Sequence, residues 1–268
     1  MKKSVYNIVT ERIIEKLEQG TIPWKKPWNA YPAVNWVTQK PYRGINQLLL
    51  GSGEYATWNQ VKKAGGSVKK GAKSEMVTFF KMLEVEKGNE IETIPMLRYY
   101  RVFNIKDCER IEPKQKVETF EHDPIEEAER LVQNYTGCPE VVFGGGRASY
   151  APGRDIIKMP ERERFYTAAE YYSTLFHEMV HSTGHAGRLN RDGIEKYAAF
   201  GSERYSKEEL VAEIGASMLC GVTGIGNTID NSVAYIQGWL GALKADSRLI
   251  VSAASQAQKA ADYILGQE

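Results

Sequence analysis

The sequence predicts an α+β protein with two domains, a small basic α+β domain followed by a mainly helical one. Its 268 residues are enough for two modest domains. Residues 1–105 contain 17 Lys and Arg against 9 Asp and Glu, a net charge of +8, whereas residues 106–268 contain 18 against 25, a net charge of −7. An extended hairpin pattern falls in the basic part and long helical patterns fall in the acidic part. We therefore predict a first domain at 1–105, a linker at 106–123 and a second domain at 124–268.

The composition is that of a soluble globular protein, with 42% hydrophobic and 26% charged residues. No apolar run approaches the roughly 20 residues of a membrane span, and Glu11 and Arg12 interrupt the apolar core that a signal peptide would need. The three cysteines, Cys108, Cys138 and Cys220, are odd in number and far apart. They indicate reduced thiols, so we expect a cytoplasmic protein with no membrane partner.

The first domain begins with an amphipathic helix over residues 4–19, which Gly20 ends. A short helix is expected at about 58–64. Two strands, at about 76–85 and 95–103, predict a long hairpin, because a polar turn lies between two runs of apolar and aromatic residues.

Aromatic and basic residues are interleaved in the first domain, and four of the five Trp lie within the first 58 positions. Aromatic faces can stack on unpaired bases while Lys and Arg follow the phosphates, so this composition favours binding of single-stranded DNA. The alternative is that the Trp residues are core and the Lys residues are solvated edges. The predicted DNA contacts are Trp24, Lys25, Lys26, Trp28, Tyr42, Arg43, Trp58, Lys62, Lys69, Lys70 and Lys73.

The second domain begins with a helix over about 124–135, because a proline suits its first position. Two extended segments, around 147–150 and 155–159, predict a hairpin in front of the next helix. An edge strand can hold an extended peptide by strand addition, and this hairpin is a candidate for that role. Two helices, at about 229–244 and 246–265, complete the chain.

The motif His-Glu-x-x-His, formed by His177, Glu178 and His181, carries the strongest chemical signal in the sequence. Residues four apart share a face of a helix, so the two imidazoles can bind one ion. Glu178 lies one step round the helix, within reach of a water on that ion. This donor set predicts a zinc site, with Mn²⁺ as a possible alternative ion, and makes Glu178 the candidate general base.

The context of the motif strengthens this interpretation. Thr167 and Glu170 have the spacing of a capping box, and Gly184 offers a stop after the second histidine. The alternative is a surface helix with two unrelated histidines.

A catalytic zinc usually has three protein ligands, so a third must come from elsewhere in the chain. His185 is the nearest candidate, but Gly184 is expected to end the helix before it. Glu209 and Glu213 lie four residues apart on one face of a second helix that is predicted to begin at Ser206.

Glu213 is our predicted third ligand, with Glu209 as its rival. Glu209 occupies the third position after a Ser206 cap, where its carboxylate can be used for capping. Glu213 lies one turn deeper, beside small residues that would let two helices approach closely, namely Ala212, Gly215 and Ala216. Glu208 is expected to be an ordinary acid on the helix surface.

Several segments of the chain together carry a resemblance to a known family, namely Tyr171–His185, Arg188–Arg191, Glu208–Ala216, Gly20–Trp24, Pro41–Asn46 and Ala257–Tyr263. In these segments the chain resembles the ArdC-type antirestriction proteins of conjugative plasmids, other mobile elements and phages. The resemblance implies an N-terminal domain that binds single-stranded DNA, a C-terminal zincin-like metallopeptidase domain and a role in protecting incoming DNA from host restriction.

Three hypotheses about the function follow, and the sequence leaves them open. The protein could be a single-strand shield with a structural zinc, a protease that cuts a host restriction component, or a protease that clears other DNA-bound proteins. Only the last two need a general base, so Glu178 separates them from the first. If hydrolysis occurs, Tyr150 or His185 could stabilise the oxyanion.

Overall fold

A computed structural model describes residues 3–24, 33–87, 90–115, 123–195, 203–226 and 233–267. The chain divides into two compact units. The first consists of Met1–Glu11 and Ala30–Thr119, and the second consists of Arg12–Asn29 and Phe120–Glu268. The predicted α+β class with two domains is confirmed.

The helices and strands up to residue 109 belong to the first unit, except that the first helix continues into the second unit. They are α1 (Val5–Glu18), β1 (Val34–Asn35), α2 (Ile45–Leu49), β2 (Glu54–Thr57), α3 (Trp58–Lys63), β3 (Ser67–Val68), β4 (Glu75–Lys87), β5 (Glu90–Asn104) and β6 (Cys108–Glu109). One sheet has the order β1-β2-β5-β4, and β3 pairs with β6.

The predicted long hairpin is confirmed as β4 and β5, which are antiparallel from Glu75 opposite Val102 to Lys87 opposite Glu90. The predicted short helix is confirmed as α3. It begins with a capping box, in which the Gln60 backbone N–H donates to the Thr57 hydroxyl and the Thr57 backbone N–H donates to the Gln60 side chain.

The predicted linker is partly built into the first unit. The indole N–H of Trp36 donates to the backbone oxygen of Glu112 at 2.9 Å. The backbone N–H of Gln115 donates to the Glu54 carboxylate at 2.5 Å. Residues 106–115 are therefore held by the first unit, and residues 116–122 lie outside the described ranges.

The second unit combines a small sheet with a helical core. Its elements are α4 (Pro124–Asn134), β7 (Glu140–Phe143), β8 (Ser149–Ala151), β9 (Ile156–Met159), α5 (Ala168–Ser182), α6 (Asp192–Glu195), α7 (Glu203–Thr223), α8 (Val233–Ala245) and α9 (Leu249–Ile264). The sheet order is β7-β9-β8, with β7 parallel and β8 antiparallel to β9. The predicted hairpin is thus β8 and β9, and it packs against α5.

Trp24 belongs to the core of the second unit. Its side chain is fully buried, and its ring meets that of Trp239 edge to face with centroids 5.1 Å apart. Its backbone oxygen accepts a hydrogen bond from the Ser217 hydroxyl. The prediction that Trp24 stacks on DNA is therefore wrong, because no base can reach a buried indole. These contacts also explain why residues 12–29 lie in the second unit and not in the predicted first domain.

Small residues let α5 and α7 approach closely, as predicted. A Cβ placed on Gly215 of α7 would lie 2.9 Å from both methyl groups of Val180, a buried residue of α5. Real Cβ atoms essentially never come so near a neighbour, so this crossing requires glycine. Among the parts of the chain that are described, no helix is long and apolar enough to cross a membrane.

The Gly215 crossing gives a test of this packing. Gly215→Val should destabilise the protein by about 1–3 kcal/mol, because the added carbons overpack the contact with Val180. Gly238 of α8 is a matched control, since a Cβ there meets nothing within 4 Å. Gly238→Val should change the stability by less than about 0.5 kcal/mol. Equal shifts of the two denaturation midpoints would contradict the close crossing.

Candidate metal centre

Two facing helices bring three ligand groups together. On α5, the Nε2 atoms of His177 and His181 lie 3.1 Å apart. On α7, the Glu209 carboxylate faces both rings, with oxygens 3.5 Å from His177 Nε2 and 3.4 Å from His181 Nε2. One atom from each of these residues lies within 4.8 Å of the others. Two imidazoles and a carboxylate are the donor set of many catalytic zinc sites.

The cluster is enclosed but not sealed. The side chains of His177, His181 and Glu209 are 14%, 11% and 13% exposed to solvent. Glu178, the candidate base, is buried beside them with 7% exposure. The donor set therefore fits a divalent ion, and the residual exposure means that the cluster is accessible to solvent.

The geometry favours Glu209 over Glu213 as the third ligand, because Glu209 is the one that converges with both imidazoles. A Glu213 oxygen lies 3.8 Å from Nδ1 of His177, the ring nitrogen that does not face the cluster. The sequence argument against Glu209 depended on the predicted start of this helix. Helix α7 begins at Glu203, so Ser206 is inside the helix and Glu209 is not needed for capping.

Glu208 is not the surface acid that was expected. It is buried, and one of its oxygens lies 3.4 Å from Nδ1 of His181. Arg191 holds the carboxylate with two donors, Nε at 3.1 Å from one oxygen and Nη2 at 2.6 Å from the other. A carboxylate behind a ligating histidine fixes the orientation and the tautomer of the ring.

Arg191 is itself fixed by buried acceptors. It donates to the Thr183 hydroxyl at 2.6 Å and to the Val180 backbone oxygen at 2.8 Å. Gly184 makes room for this arrangement, because a Cβ there would lie 2.5 Å from Ile194 and 3.0 Å from the guanidinium. Packing therefore favours glycine at position 184, after the end of the helix. Helix α5 ends at Ser182.

The electrostatics of the cluster favour a positive charge. Burial alone would lower the pKa of His181, but the carboxylates of Glu208 and Glu209 outweigh burial and raise this pKa to about 10. The pKa of His177 is raised in the same way, against burial, chiefly by Glu209. Burial would raise the pKa of Glu209, yet the two rings lower it below its ordinary value. The charge of Glu178 contributes to the raised pKa of both histidines.

The two candidates for oxyanion stabilisation have other partners. The Tyr150 hydroxyl donates to Asp155 at 2.7 Å and accepts from Arg188 at 3.2 Å. Burial, followed by the bond to Asp155, raises the pKa of Tyr150. Nδ1 of His185 accepts from the Gly187 backbone N–H at 3.2 Å.

The predicted DNA contacts in the first unit are mostly on its surface. Trp58 is 46% exposed, and the Lys62 ammonium lies 5.5 Å from the centre of its ring. Tyr42 is only partly buried, but it packs edge-on against Tyr55 in a core cluster. The exposed basic residues are Arg43, Lys62, Lys69, Lys70 and Lys73. Lys25, Lys26 and Trp28 lie outside the described residues.

Comparison with known families assigns both parts of the chain. Residues 126–256 match the family described as a zincin-like metallopeptidase, which agrees with the His-Glu-x-x-His helix and the carboxylate that faces it. The second unit is thus a zincin-like metallopeptidase domain. Residues 3–103 match the N-terminal domain of the anti-restriction factor ArdC.

Solved structures agree over nearly the whole length. The antirestriction protein ArdC from plasmid R388 is 36% identical in sequence to this chain, and its metal-free crystal structure superposes with a TM-score of 0.79. The alignment covers 98% of this chain and 97% of the R388 protein. Its Mn(II)-bound structure is 37% identical and has the same TM-score. The chain belongs to the ArdC-type antirestriction proteins.

Two further relatives match nearly the whole of this chain. The chain is 35% identical over 295 residues to a DNA primase, TraC, of Escherichia coli, but it spans only 20% of the length of that protein. The chain is also 32% identical over 288 residues to the protein y4eC of Sinorhizobium fredii. That alignment covers 98% of this chain and 92% of y4eC.

The geometry predicts an order of metal affinities. Glu209→Ala should remove most of the bound metal, because it deletes a ligand. Glu208→Gln should weaken binding by about 10- to 100-fold, the usual effect of losing a partner behind a ligating histidine. Glu213→Ala should have a smaller effect than Glu209→Ala. Titration of purified, metal-free variants with Zn²⁺ and with Mn²⁺ measures all three.

Glu140→Ala serves as the control, since it removes an exposed acid of β7. Its affinity should equal that of the unaltered protein. A greater loss in Glu213→Ala than in Glu209→Ala would reverse our assignment of the third ligand.

Proposed function

We propose that this protein protects incoming DNA from host restriction by binding it as a single strand and by hydrolysing a DNA-bound protein at the metal centre. The observation that carries the proposal is the convergence of His177, His181 and Glu209 beside the buried Glu178. A site that only stabilises the fold has no use for a carboxylate base, whereas a peptidase depends on one.

We propose a separate role for each residue of the site. His177, His181 and Glu209 would hold the ion, for which we propose Zn²⁺, with Mn²⁺ as the alternative that the Mn(II)-bound relative supports. When bound, such an ion polarises a peptide carbonyl and lowers the pKa of a water. Glu178 takes up the proton of the attacking water and passes it to the leaving amine nitrogen. Glu208, held by Arg191, keeps the His181 ring in place.

The small sheet supports a protein substrate. Strand β8 is at one edge of the order β7-β9-β8, and it packs against the helix that carries both histidines. An edge strand of this kind can pair with an extended peptide through main-chain hydrogen bonds. The substrate class we propose is therefore an extended segment of a host restriction component or another DNA-bound protein.

The first unit supports the nucleic-acid part of the proposal. The residues of the first unit, 1–11 and 30–119, contain 17 Lys and Arg against 11 Asp and Glu, a net charge of +6. The exposed Trp58, with Lys62 beside its ring, offers a face on which a base can stack. Lys69, Lys70 and Lys73 add exposed positive charge for the phosphates.

The decisive experiment for hydrolysis uses Glu178→Gln, which keeps the shape of the side chain and removes the base. We expect this variant to bind metal and single-stranded DNA normally but to lose protection of unmodified DNA transferred into a restricting host. Glu140→Gln, at an exposed position, is the matched control and should protect fully. Full protection by Glu178→Gln would leave a single-strand shield with a structural ion as the remaining mechanism.

Single-strand binding is tested with the full-length protein. We expect it to prefer single strands to duplex, and the logarithm of its affinity should fall with the logarithm of salt by about 0.7 per phosphate contact. Lys70→Ala with Lys73→Ala should weaken binding and flatten this slope. The control pair, Lys244→Ala with Lys259→Ala, removes the same charge from exposed positions of the second unit. Fluorescence anisotropy over a salt series suffices, and preference for duplex would rule out this part of the proposal.

A further inference from the structure

The β4–β5 hairpin is buried at its base and becomes exposed a few residues further along. At the base, Met76, Val77 and Thr78 are buried. Asn46 of α2 anchors this end, since its side-chain oxygen accepts from the Thr78 backbone N–H at 2.7 Å and its amide donates to the Thr78 backbone oxygen at 2.9 Å. The strand β2 pairs with β5 only at its end, at Val102–Asn104. Beyond this anchor the hairpin continues as a two-stranded ribbon.

We call residues 79–83 and 96–101 the hairpin arm. It exposes an unusual amount of apolar surface, because five large side chains of the arm are 42–54% exposed. Isolated exposed apolar residues are common, but a contiguous group of this kind marks an interaction surface. The five residues are Phe79, Phe80, Met82, Tyr99 and Tyr100.

Each face of the arm combines two aromatic residues with an arginine. Residues directly opposite each other in an antiparallel pair share a face. On one face Phe79 is opposite Arg98, and Tyr100 follows two residues along the strand. This face therefore presents two rings and one guanidinium as near neighbours.

The other face repeats the combination. Tyr99 is opposite Thr78, and Phe80 is the next residue of β4 on that face. Arg101 lies two residues from Tyr99, and its guanidinium donates to the Ser74 hydroxyl at 3.0 Å. The alternation of the strands thus gives both faces the same chemistry.

The charge of the arm selects one kind of partner. Lys81, Arg98 and Arg101 are its charged residues, and residues 79–83 and 96–101 contain no acid. All three are exposed. Rings that are exposed among cations suit unpaired bases joined by phosphates, whereas in a duplex the base faces are already stacked. Residues 84–92 contain four glutamates, which confines an anionic partner to the arm itself.

We propose that the hairpin arm is a stacking surface for single-stranded DNA. Bases stack on Phe79, Phe80, Tyr99 and Tyr100, while Lys81, Arg98 and Arg101 contact the phosphates between them. This inference rests on the proposed function of the first unit as a single-strand binder, and it assigns the stacking to residues that the interleaving of Trp and Lys did not indicate.

The test measures the affinity of the full-length protein for a labelled oligo(dT). Phe79→Ala with Tyr100→Ala removes one pair of rings, and Phe80→Ala with Tyr99→Ala removes the other. Each pair should lower the affinity by about 5- to 150-fold for every base that stacks. Arg98→Ala should reduce the salt slope by about 0.7, the share of one phosphate contact.

Matched variants separate stacking from a general loss of apolar surface. Tyr100→Phe keeps the ring and should bind like the unaltered protein. Val142→Ala with Phe143→Ala removes apolar side chains of comparable exposure, 39% and 48%, from β7 of the second unit, and should also leave binding unchanged. Thermal unfolding and metal content of every variant check that the fold persists.

A measurement on the unaltered protein makes the test independent of folding. Photocrosslinking to bromodeoxyuridine-containing single strands should yield adducts in residues 79–83 or 96–101. If the protein binds single strands while the arm variants bind equally well and the adducts lie elsewhere, the arm is a surface for another partner, such as a protein, and the inference is overturned. If the unaltered protein fails to bind single strands, the proposed function of the first unit falls together with the inference.

Discussion

The second unit depends on a group of carboxylates buried around two imidazoles. Glu178, Glu208 and Glu213 are buried, and Glu209 is nearly so. Burying even one carboxylate without a partner costs several kcal/mol. Arg191 compensates Glu208 directly, and the remaining negative charge is directed at His177 and His181. The cluster is therefore arranged to hold a positive charge, which is what distinguishes an ion-binding site from a pair of histidines in a core.

This charge cluster determines the packing around it. Three of the carboxylates come from α7, whereas both imidazoles and Glu178 come from α5. The two helices must therefore lie close together, and Gly215 allows this by leaving space for Val180. Arg191 must reach back to Glu208 from the loop after α5, and Gly184 leaves space for its guanidinium. Both glycines are thus required by close approach. Neither has the positive φ that makes glycine necessary in a turn.

The features that could be read from the sequence are those encoded locally. The spacing of His177 and His181, the Thr167 cap and the β4–β5 hairpin depend on residues a few positions apart, and the structure has each of them. The choice between Glu209 and Glu213 depended on where the second helix begins, because a predicted start at Ser206 assigned Glu209 to capping, whereas α7 begins at Glu203. The burial of Glu208 could not be foreseen, because its partner Arg191 lies in an irregular loop. Trp24 was misassigned because its partner Trp239 is more than 200 positions away.

The two units offer chemistries that complement each other in an antirestriction protein. Restriction enzymes cut duplex DNA, so a protein that only covers a single strand protects the transferred strand until it has been copied. Hydrolysis at the metal centre would act on the host protein and would outlast that interval. The two units also differ in charge. Carboxylates surround His177 and His181, whereas basic residues predominate in the first unit. Under the proposed function, the basic first unit attracts a DNA strand and the acidic metal centre is left for a peptide.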